Sequence, residues 1–275
     1  MMGFTTCTIQ SFNSSQSEFE QVDKMVNPLV PKDGVWLISA NKLNIALSCP
    51  RKLCFYLSHV EGDETDTKYI DSGQAVHQYM EDNFNGNPQP VGYYLEKFHV
   101  LPEMVQRVNS CIANAQPYLK LKGTPEVAEE TVFTTPKGRT VKLISRIDLQ
   151  CEDAEIDGAN KRLVVDWKTG SKINKDEYIV QMQVYRFVKN FEYDAMLVSL
   201  LTGEKLIVNK SPKNYIPSLC DKYIDMVENL DFEPAPNQNC SRFCPYYTNH
   251  CSEEHKYDVV VPLMNWDDTN KRWVE

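Results

Sequence analysis

The chain has 275 residues and a mass of 31.7 kDa, enough to bury one large core or two modest ones. Hydrophobic residues form 42% of the chain and charged residues 24%, and no uncharged stretch reaches the roughly 18 apolar residues of a membrane span, which excludes a membrane protein. A formal net charge of −9 speaks against a protein that coats nucleic acid nonspecifically, but it leaves room for a local basic groove.

The first 34 residues are polar and interrupted by Pro28 and Pro31, which predicts a flexible tail and linker. They contain no basic region followed by an apolar one, so no secretory signal is expected. We therefore expect a cytoplasmic location, or the host cytoplasm for a viral source. One domain is expected over residues 35–255, followed by a C-terminal extension over residues 256–275.

The first part of the expected domain has the periodicity of helices. Ser39 precedes a segment with apolar residues at helical spacing, and Pro50 breaks or restarts that helix. Residues 72–84 form a second amphipathic pattern, which ends in turn-forming residues, and a third helix is expected over 102–119. These patterns predict an N-terminal helical segment.

From about residue 126 the periodicity changes to that of strands. Residues 126–150 and 161–169 are rich in Val, Ile and Thr and are separated by loops, which predicts antiparallel strands. Residues 176–191 return to helical spacing, and a hairpin is expected around Thr202-Gly203. A helix near 215–229 then leads into a Cys-bearing C-terminal tail. The alternation of these elements predicts an α/β fold.

Three ionisable side chains stand within two of the predicted strands. Asp148 interrupts one apolar run, and Asp166 and Lys168 follow the apolar residues 163–165. Because successive side chains of a strand alternate between its faces, Asp166 and Lys168 point the same way. If the loop centred on Asp157 is symmetric and contains no bulge, Asp148 lies across from Asp166. A charge inside a sheet is costly without a partner or a metal, so these residues suggest a site.

A divalent metal would compensate the two carboxylates. Side by side they repel each other, and one keeps a proton unless a cation lies between them. Oxygen ligands suit Mg²⁺ or Mn²⁺, and such an ion can polarise a phosphoryl oxygen and generate hydroxide from water. Lys168 would then orient the attacking water and stabilise charge that develops on the phosphate. The alternative is an exposed hairpin with a surface ion pair.

Several motifs accompany these residues in a fixed order. They are Ser48-Cys49-Pro50-Arg51, Gly73-x-x-x-His77, Asp148, Asp166-x-Lys168-Thr169-Gly170 and Gln181-x-x-x-Tyr185. The ordered set resembles the PD-(D/E)xK nuclease superfamily, and most closely its RecB-like branch, over roughly residues 38–251. The resemblance implies a restriction-endonuclease-like α/β core, a central mixed β-sheet flanked by helices.

The resemblance also implies a role for each motif residue. Taken alone, the histidine and the residues of the last motif are ordinary members of amphipathic helices, and Gln181 and Tyr185 could also hold Lys168 by hydrogen bonding. The implied catalytic residues are Asp148, Asp166 and Lys168, the implied metal ligands are His77, Asp148 and Asp166, and the implied substrate-orienting residues are Gln181 and Tyr185.

A further carboxylate is expected from the strand that precedes Asp148. Glu130 begins that predicted strand, and an acid at this place contributes to the site in related nucleases. Glu126 and Glu129 compete with Glu130 for the role. The resemblance thus adds Glu130 to the predicted metal ligands.

Nine cysteines in a chain without an export signal favour reduced thiols over disulfides. Three of them, Cys240, Cys244 and Cys251, fall within twelve residues, so several sulfurs can face one centre. One subgroup of the RecB-like branch binds a 4Fe–4S cluster through three such cysteines and one from the Cys-Pro-Arg region, here Cys49. Cys54 is the other candidate for that fourth ligand.

The cysteine spacing departs from the subgroup in one respect. Each of the two loops between the C-terminal cysteines is one residue longer than usual. Zinc, with His250 or His255 as a ligand, and unligated thiols are therefore alternatives to the cluster.

The activity that the resemblance implies is hydrolysis of DNA phosphodiester bonds. Members with a single nuclease domain commonly act as exonucleases on DNA ends or single strands in recombination, repair or replication, and an exonuclease is expected here. A structure-selective endonuclease would use the same residues, and a cluster-bearing DNA-binding or scaffold protein would bind without cutting. The intact acid, acid and lysine set favours an enzyme. A helicase, recombination or integrase partner is not identifiable from the sequence.

Overall fold

The computed structural model describes residues 33–57, 60, 62–63, 67–156, 158–171, 173, 175–236, 240–251, 265–267 and 272–274. The predicted flexible tail therefore lies outside the described residues except at 33 and 34. The C-terminal extension is described only as a short antiparallel hairpin. Within these ranges, no helix has both the length and the apolar character of a membrane span.

Strands and helices follow one another largely as the periodicity predicts. The strands of the main sheet are β1 (Val35–Ser39), β2 (Thr124–Thr134), β3 (Thr140–Ile156), β4 (Ala159–Lys168), β5 (Asp194–Ser199) and β6 (Lys205–Val208), and the C-terminal hairpin is β7 (Asn265–Asp267) and β8 (Arg272–Val274). The helices are α1 (Ala40–Ser48), α2 (Pro50–Leu57), α3 (Lys68–Phe84), α4 (Val91–Lys97), α5 (Val105–Ala115), α6 (Lys175–Val188), α7 (Tyr215–Glu228) and α8 (Cys240–Phe243), with a π-helical turn at Tyr247–Cys251.

The main sheet is mixed, which confirms the predicted fold class. Its strand order is β1-β3-β4-β5-β6, and β2 pairs with β3 off that path. β1 is parallel to β3 and β4 is parallel to β5, whereas the other pairs are antiparallel. The sequence does not predict β1, because its five residues are too few to establish a period.

Helices cover both faces of the sheet. Alternate side chains of β4 and β5 enter two different cores, as the period of a strand requires. Val164 and Leu197 pack with Met182 and Tyr185 of α6. Val165 and Val198 pack on the opposite face with Val76 and Met80 of α3 and with residues of α5. A third core joins β1 and the start of β3 to α1, α2, α6 and α7.

The break between α1 and α2 follows the predicted signals. Ser39 caps α1, and its Oγ accepts a hydrogen bond from the N–H of Lys42 at 3.2 Å. The helix ends at Cys49, whose N–H donates to the carbonyl of Ile45, and α2 begins at Pro50. Proline at the first position of a helix removes no hydrogen bond that the helix needs. The junction places Cys49 between the two helices.

The β3–β4 hairpin reaches the predicted register by a route that was not predicted. Asp157, the predicted centre of the loop, lies outside the described residues. The recorded pairs are Ile156–Ala159, Glu155–Asn160 and Ala154–Lys161 near the turn, and Cys151–Leu163, Gln150–Val164 and Leu149–Val165 beyond a bulge. The condition that the hairpin contains no bulge is not met, but the extra residue of the bulge restores the pairing expected for a symmetric loop. One step beyond the last pair, Asp148 lies opposite Asp166.

Candidate metal and catalytic site

The end of β4 places an acid and a base side by side. The Asp166 side chain is almost fully buried, and Lys168 Nζ lies 2.6 Å from its Oδ2 atom. Burial disfavours the charged form of Lys168, but Asp166 and then Asp148 outweigh it and raise the pKa of the ammonium group above its ordinary value. Lys168 is therefore a cation held within the site.

Helix α6 holds Asp166 from one face of the sheet. Its Oδ1 atom accepts hydrogen bonds from Gln181 Nε2 at 2.9 Å and from the Tyr185 hydroxyl at 3.0 Å. Gln181 and Tyr185 are four residues apart and share one helix face, and Gln181 Nε2 also donates to the Tyr185 oxygen at 2.7 Å. The two residues therefore hold the carboxylate, and neither of these contacts is with Lys168.

Tyr185 does not take the substrate-orienting role expected from the sequence. Only 1% of its surface is exposed, so a substrate cannot reach it in this arrangement. Burial, with the charge of Asp166, raises the pKa of its hydroxyl well above the ordinary value, so the hydroxyl keeps its proton and donates. Gln181 is only partly buried and borders the site. The ring of Tyr178, one turn earlier on α6, lies 5.2 Å from Lys168 Nζ.

Asp148 lies where β3 and β4 stop pairing. Its Oδ2 atom accepts a hydrogen bond of 2.7 Å from the N–H of Trp167, which takes the place of a ladder bond. Burial, and then the charge of Asp166, raise the pKa of Asp148 to about 8. Asp148 therefore keeps its proton at neutral pH when no metal ion is bound.

His77, Glu126 and Asp148 form a group of potential metal ligands. Each offers one ligand atom, and the three atoms lie within 4.8 Å of one another. His77 approaches from α3 on the opposite side of the sheet from α6, and its Nδ1 lies 3.6 Å from Asp148 Oδ2. Burial, and then the charge of Lys168, lower the pKa of His77, which favours the neutral imidazole that binds metals.

Glu126 enters the site through an unusual backbone conformation. Its φ angle of 53° lies in the left-handed region, and its flanking residues pair with Leu149 and Ile147, so Glu126 lies opposite Asp148. Burial, and then Asp148, raise its pKa to about 7. Its carboxylate accepts a hydrogen bond from Arg146 Nε.

Glu130 does not join this group, which corrects the expectation from the sequence. It pairs with Ile144, four residues along β3 from Asp148, or roughly 13 Å at the rise of a strand. Its side chain is 63% exposed and lies 2.6 Å from Lys142 Nζ. Glu129 is also elsewhere, because it accepts a hydrogen bond from Lys189. Of the three competing acids, Glu126 alone lies at the site.

Gly73 explains how α3 comes close enough to bring in His77. A Cβ atom at Gly73 would lie 3.3 Å from Thr169 Oγ1, in the loop directly after Lys168. Arg107 of α5 fixes that loop by donating a hydrogen bond to the carbonyl of Thr169. The spacing of the Gly73-x-x-x-His77 motif thus combines a close helix approach with a ligand one turn further along the same face.

The four predicted cluster cysteines lie near one another, because the C-terminal cysteine segment meets the junction of α1 and α2. Burial raises the pKa of Cys244 and of Cys251, and for both thiols Cys49 and Cys240 raise it further. All four are partly exposed. Cys54, the other candidate, is buried in the core formed by α1, α2 and α7.

Side-chain and backbone contacts hold the C-terminal cysteine segment against the N-terminal helices. Phe55 of α2 packs against Tyr246 and His250 at ring-centroid distances of 5.2 and 5.4 Å. Asp63 accepts hydrogen bonds from the N–H groups of Thr248 and Asn249 at 2.6 and 3.0 Å. His255, the other predicted zinc ligand, lies outside the described residues.

One of three comparisons with known proteins identifies a family for this chain. No curated protein matches the chain. The solved structure named "Crystal structure of SSO0001" is similar, with 12% sequence identity and a TM-score of 0.45 over 84% of this chain and 90% of that one, and a likeness at this level carries no conclusion here. Residues 37–249 match the family described as the PD-(D/E)XK nuclease superfamily. The match covers most of the chain, which therefore belongs to the PD-(D/E)XK nuclease superfamily, a superfamily of metal-dependent nucleases.

Proposed function

We propose that the protein is a Mg²⁺- or Mn²⁺-dependent deoxyribonuclease of the RecB-like branch that degrades DNA from ends or single strands. One observation carries this proposal: Asp148, Asp166 and Lys168 converge with His77 and Glu126 where β3 and β4 separate. Family membership supports the hydrolysis of a nucleic acid. The motif around His77, which resembles that of the RecB-like branch, supports the choice of branch.

The donor set fits a hard divalent cation. His77, Glu126 and Asp148 would hold the ion, and carboxylate oxygens suit Mg²⁺ and Mn²⁺. Asp166 is a further candidate ligand, because its charge acts on both Asp148 and His77, and its Oδ2 atom also pairs with Lys168. When bound, the ion would polarise a phosphoryl oxygen and lower the pKa of a water molecule. The raised pKa values of Asp148 and Glu126 support this fit, because a cation would favour their ionised forms.

Lys168 has the position and charge to act on the phosphate. Its ammonium group is held by Asp166 at the mouth of the site and is partly exposed, so it can donate to an attacking water or to a phosphate oxygen. Donors placed where negative charge develops stabilise the transition state. Gln181 and Tyr185 act as positioning residues through their hydrogen bonds to Asp166.

Cleavage of end-labelled DNA in Mn²⁺ tests the catalytic assignment. Asp166→Asn and Lys168→Ala should each lower kcat by at least about 100-fold, as expected for loss of a group that stabilises developing charge. Lys161→Ala is the matched control, because Lys161 lies on the same strand but on the exposed part of β4, and it should cleave within about twofold of wild type. Circular dichroism would show that all variants are folded. Retained activity in either site variant would refute the assignment, and binding without hydrolysis in the wild type would favour a scaffold protein.

Circular single-stranded DNA separates the exonuclease from the endonuclease. An exonuclease needs an end, so it should digest linear strands and leave circles intact in the same Mn²⁺ buffer. Cleavage of circles at a rate similar to that of linear strands would establish the endonuclease instead. The same variants serve as controls, because contaminating nucleases would be insensitive to Lys168→Ala.

We also propose that Cys49, Cys240, Cys244 and Cys251 hold a 4Fe–4S cluster that joins the two ends of the domain. Support comes from their mutual proximity and from the packing of the C-terminal segment on α2. Four thiolates are the usual ligands of such a cluster.

Iron and sulfide analysis after anaerobic purification tests the cluster. Wild-type protein should be brown and contain about four iron atoms per chain, as the cluster type requires. Cys49→Ser should lose the iron, whereas Cys111→Ser should retain it, because Cys111 is buried in the core between α3, α5 and the sheet. Colourless wild-type protein with four reduced thiols, or with zinc in place of iron, would overturn the proposal.

A further inference from the structure

A basic cavity that is open to solvent lies at the C-terminal end of α6. Its volume is about 450 Å³, within the range of pockets that bind small molecules. The lining includes Arg186 and Phe191 at the C-terminal end of α6 and Lys210, Ser211 and Lys213 from the segment after β6. Lys210 and Lys213 are exposed, so the cavity has a positively charged rim.

Arg186 is a buried cation in this cavity. Only 5% of the residue is exposed, and its Nε and Nη1 atoms donate to the carbonyl of Tyr193 at 2.9 Å and to Ser211 Oγ at 2.7 Å. Within the described part of the chain, no carboxylate lies within ion-pair distance of its guanidinium. Asp194 is the acid that raises its pKa, and Asp194 lies 3.3 Å from Lys161 Nζ.

The guanidinium therefore lacks the counterion that burial normally requires. Burial lowers the pKa of Arg186 from its ordinary value, and the charge of Asp194 only partly opposes this effect. A buried charge without a paired anion is costly, so a ligand that supplies the opposite charge would be stabilised here. The Nη2 edge makes no hydrogen bond within the described structure, which leaves two N–H donors for a ligand.

The backbone beside Arg186 is held in a conformation that side chains seldom adopt. Asn190 and Phe191 are consecutive residues in the left-handed region, with φ angles of 52° and 62°. The turn is closed by a hydrogen bond from the Phe191 N–H to the Arg186 carbonyl at 2.7 Å, and the ring of Phe191 lies 5.9 Å from the guanidinium. Strained positions of this kind concentrate at ligand sites. The turn presents an amide and an aromatic ring to the same cavity.

We propose that this cavity binds the phosphate group of a nucleotide, with Arg186 at its base, Lys210 and Lys213 at its rim, and Phe191 beside the sugar or base. The planar guanidinium offers paired donors that match phosphate oxygens. Three cations suit the charge of a phosphate better than that of a single carboxylate. The phosphate belongs either to a free mononucleotide or to a nucleic acid strand.

The proposed site can be filled independently of the catalytic site. Arg186 contacts the residue before β5, where Asp194 pairs with Leu163, whereas Lys168 pairs with Ser199 at the other end of the same strand pair. Five residue positions separate the two pairs, or roughly 16 Å at the rise of a strand. Binding can therefore be measured without divalent metal and without cleavage.

Equilibrium binding in EDTA tests the proposal, with 5′-dAMP, deoxyadenosine and a labelled 12-nucleotide strand as probes. Wild-type protein should bind the phosphate-bearing probes, and dAMP should bind at least about tenfold more tightly than deoxyadenosine. The double variant Lys210→Ala, Lys213→Ala should weaken that binding at least about tenfold. The double variant Lys120→Ala, Lys122→Ala removes the same charge from exposed positions outside the cavity and should bind as wild type does.

Binding of the labelled 12-nucleotide strand identifies the source of the phosphate. If a nucleic acid strand is the ligand, the Lys210 and Lys213 substitutions should make the slope of log K against log salt for that strand about 1.4 less negative. If a free nucleotide is the ligand, they should weaken dAMP binding at least about tenfold and leave the salt dependence of strand binding unchanged. Arg186→Lys, which keeps the charge but not the paired donors of the guanidinium, should weaken binding in either case. Equal affinity of wild type and both cavity variants for dAMP and for the strand would overturn the proposal.

Discussion

Removing the charge of Asp148 should stabilise the metal-free protein at alkaline pH. Burial, and then Asp166, raise the pKa of Asp148 from 3.8 to about 8. The folded protein therefore keeps a proton on this carboxyl at pH values where the unfolded chain has lost it. The stability that this proton supports is complete below about pH 4 and is lost as the pH rises to about 8. Asp148→Asn removes the ionisation, and its amide oxygen can still accept the hydrogen bond from Trp167 N–H.

The size of the effect follows from the raised pKa. Between pH 5 and pH 8, Asp148 alone should lower the free energy of unfolding of the wild type by at most about 4 kcal/mol, because each pKa unit is worth about 1.4 kcal/mol. The Asp148 side chain is 13% exposed, and water that reaches its carboxylate lowers the free-energy cost of the charge. We therefore expect the stability of Asp148→Asn relative to wild type to increase by about 2 kcal/mol over this range.

Urea unfolding in EDTA at pH 5, 6, 7 and 8 measures this difference. Asp153→Asn, at an exposed position of the same strand, is the matched control and should show no such trend. Saturating Mg²⁺ at pH 8 should stabilise the wild type and bring it back toward the variant, because the ion binds only the folded protein. A difference that stays constant or shrinks as the pH rises would refute the buried acid pair.

Three further substitutions test the surroundings of the site by steady-state cleavage in Mn²⁺. Glu126→Gln should lower kcat/KM at least about tenfold, and Glu130→Gln should stay within about twofold, since only the first residue adjoins the other ligands. Gly73→Ala should lower kcat about tenfold, because its Cβ would press on a threonine hydroxyl beside the site, whereas Gly92→Ala, whose Cβ meets open space, should be neutral. Tyr185→Phe should lower kcat by about fivefold without unfolding, as loss of one positioning hydrogen bond predicts.

The grouping of Asp148, Asp166 and Lys168 could be predicted because its signal is local. Asp148, Asp166 and Lys168 are charges within strands that are otherwise apolar, and such positions are costly without a function. The alternation of a strand then fixes Asp166 and Lys168 on one face without any knowledge of the fold. The same reasoning could not count the residues in the β3–β4 turn, and the predicted register holds only because a bulge offsets the turn.

The remaining parts of the site depend on tertiary structure. The choice of Glu126 over Glu130 follows from a left-handed backbone residue and from the β2–β3 register, neither of which leaves a clear mark in composition. The burial of Tyr185 depends on how α6 packs on the sheet, so the sequence could give its spacing from Gln181 but not its inaccessibility. The cavity around Arg186 has no sequence motif, and it emerges only when α6 and the segment after β6 meet.

The site draws its residues from both faces of the sheet because the β3–β4 ladder ends early. His77 comes from the α3 face, whereas Gln181 comes from the α6 face, and a sheet paired to its end would keep them apart. The ladder stops after the Leu149–Val165 pair. The Asp148 carboxylate then accepts a hydrogen bond from the Trp167 N–H, which would otherwise need a backbone partner. The acid that would bind the ion thus also satisfies the backbone where the strands separate. Because helices from both layers must be in place for the ligands to meet, we expect metal binding to be lost together with the global fold rather than by local opening of one layer.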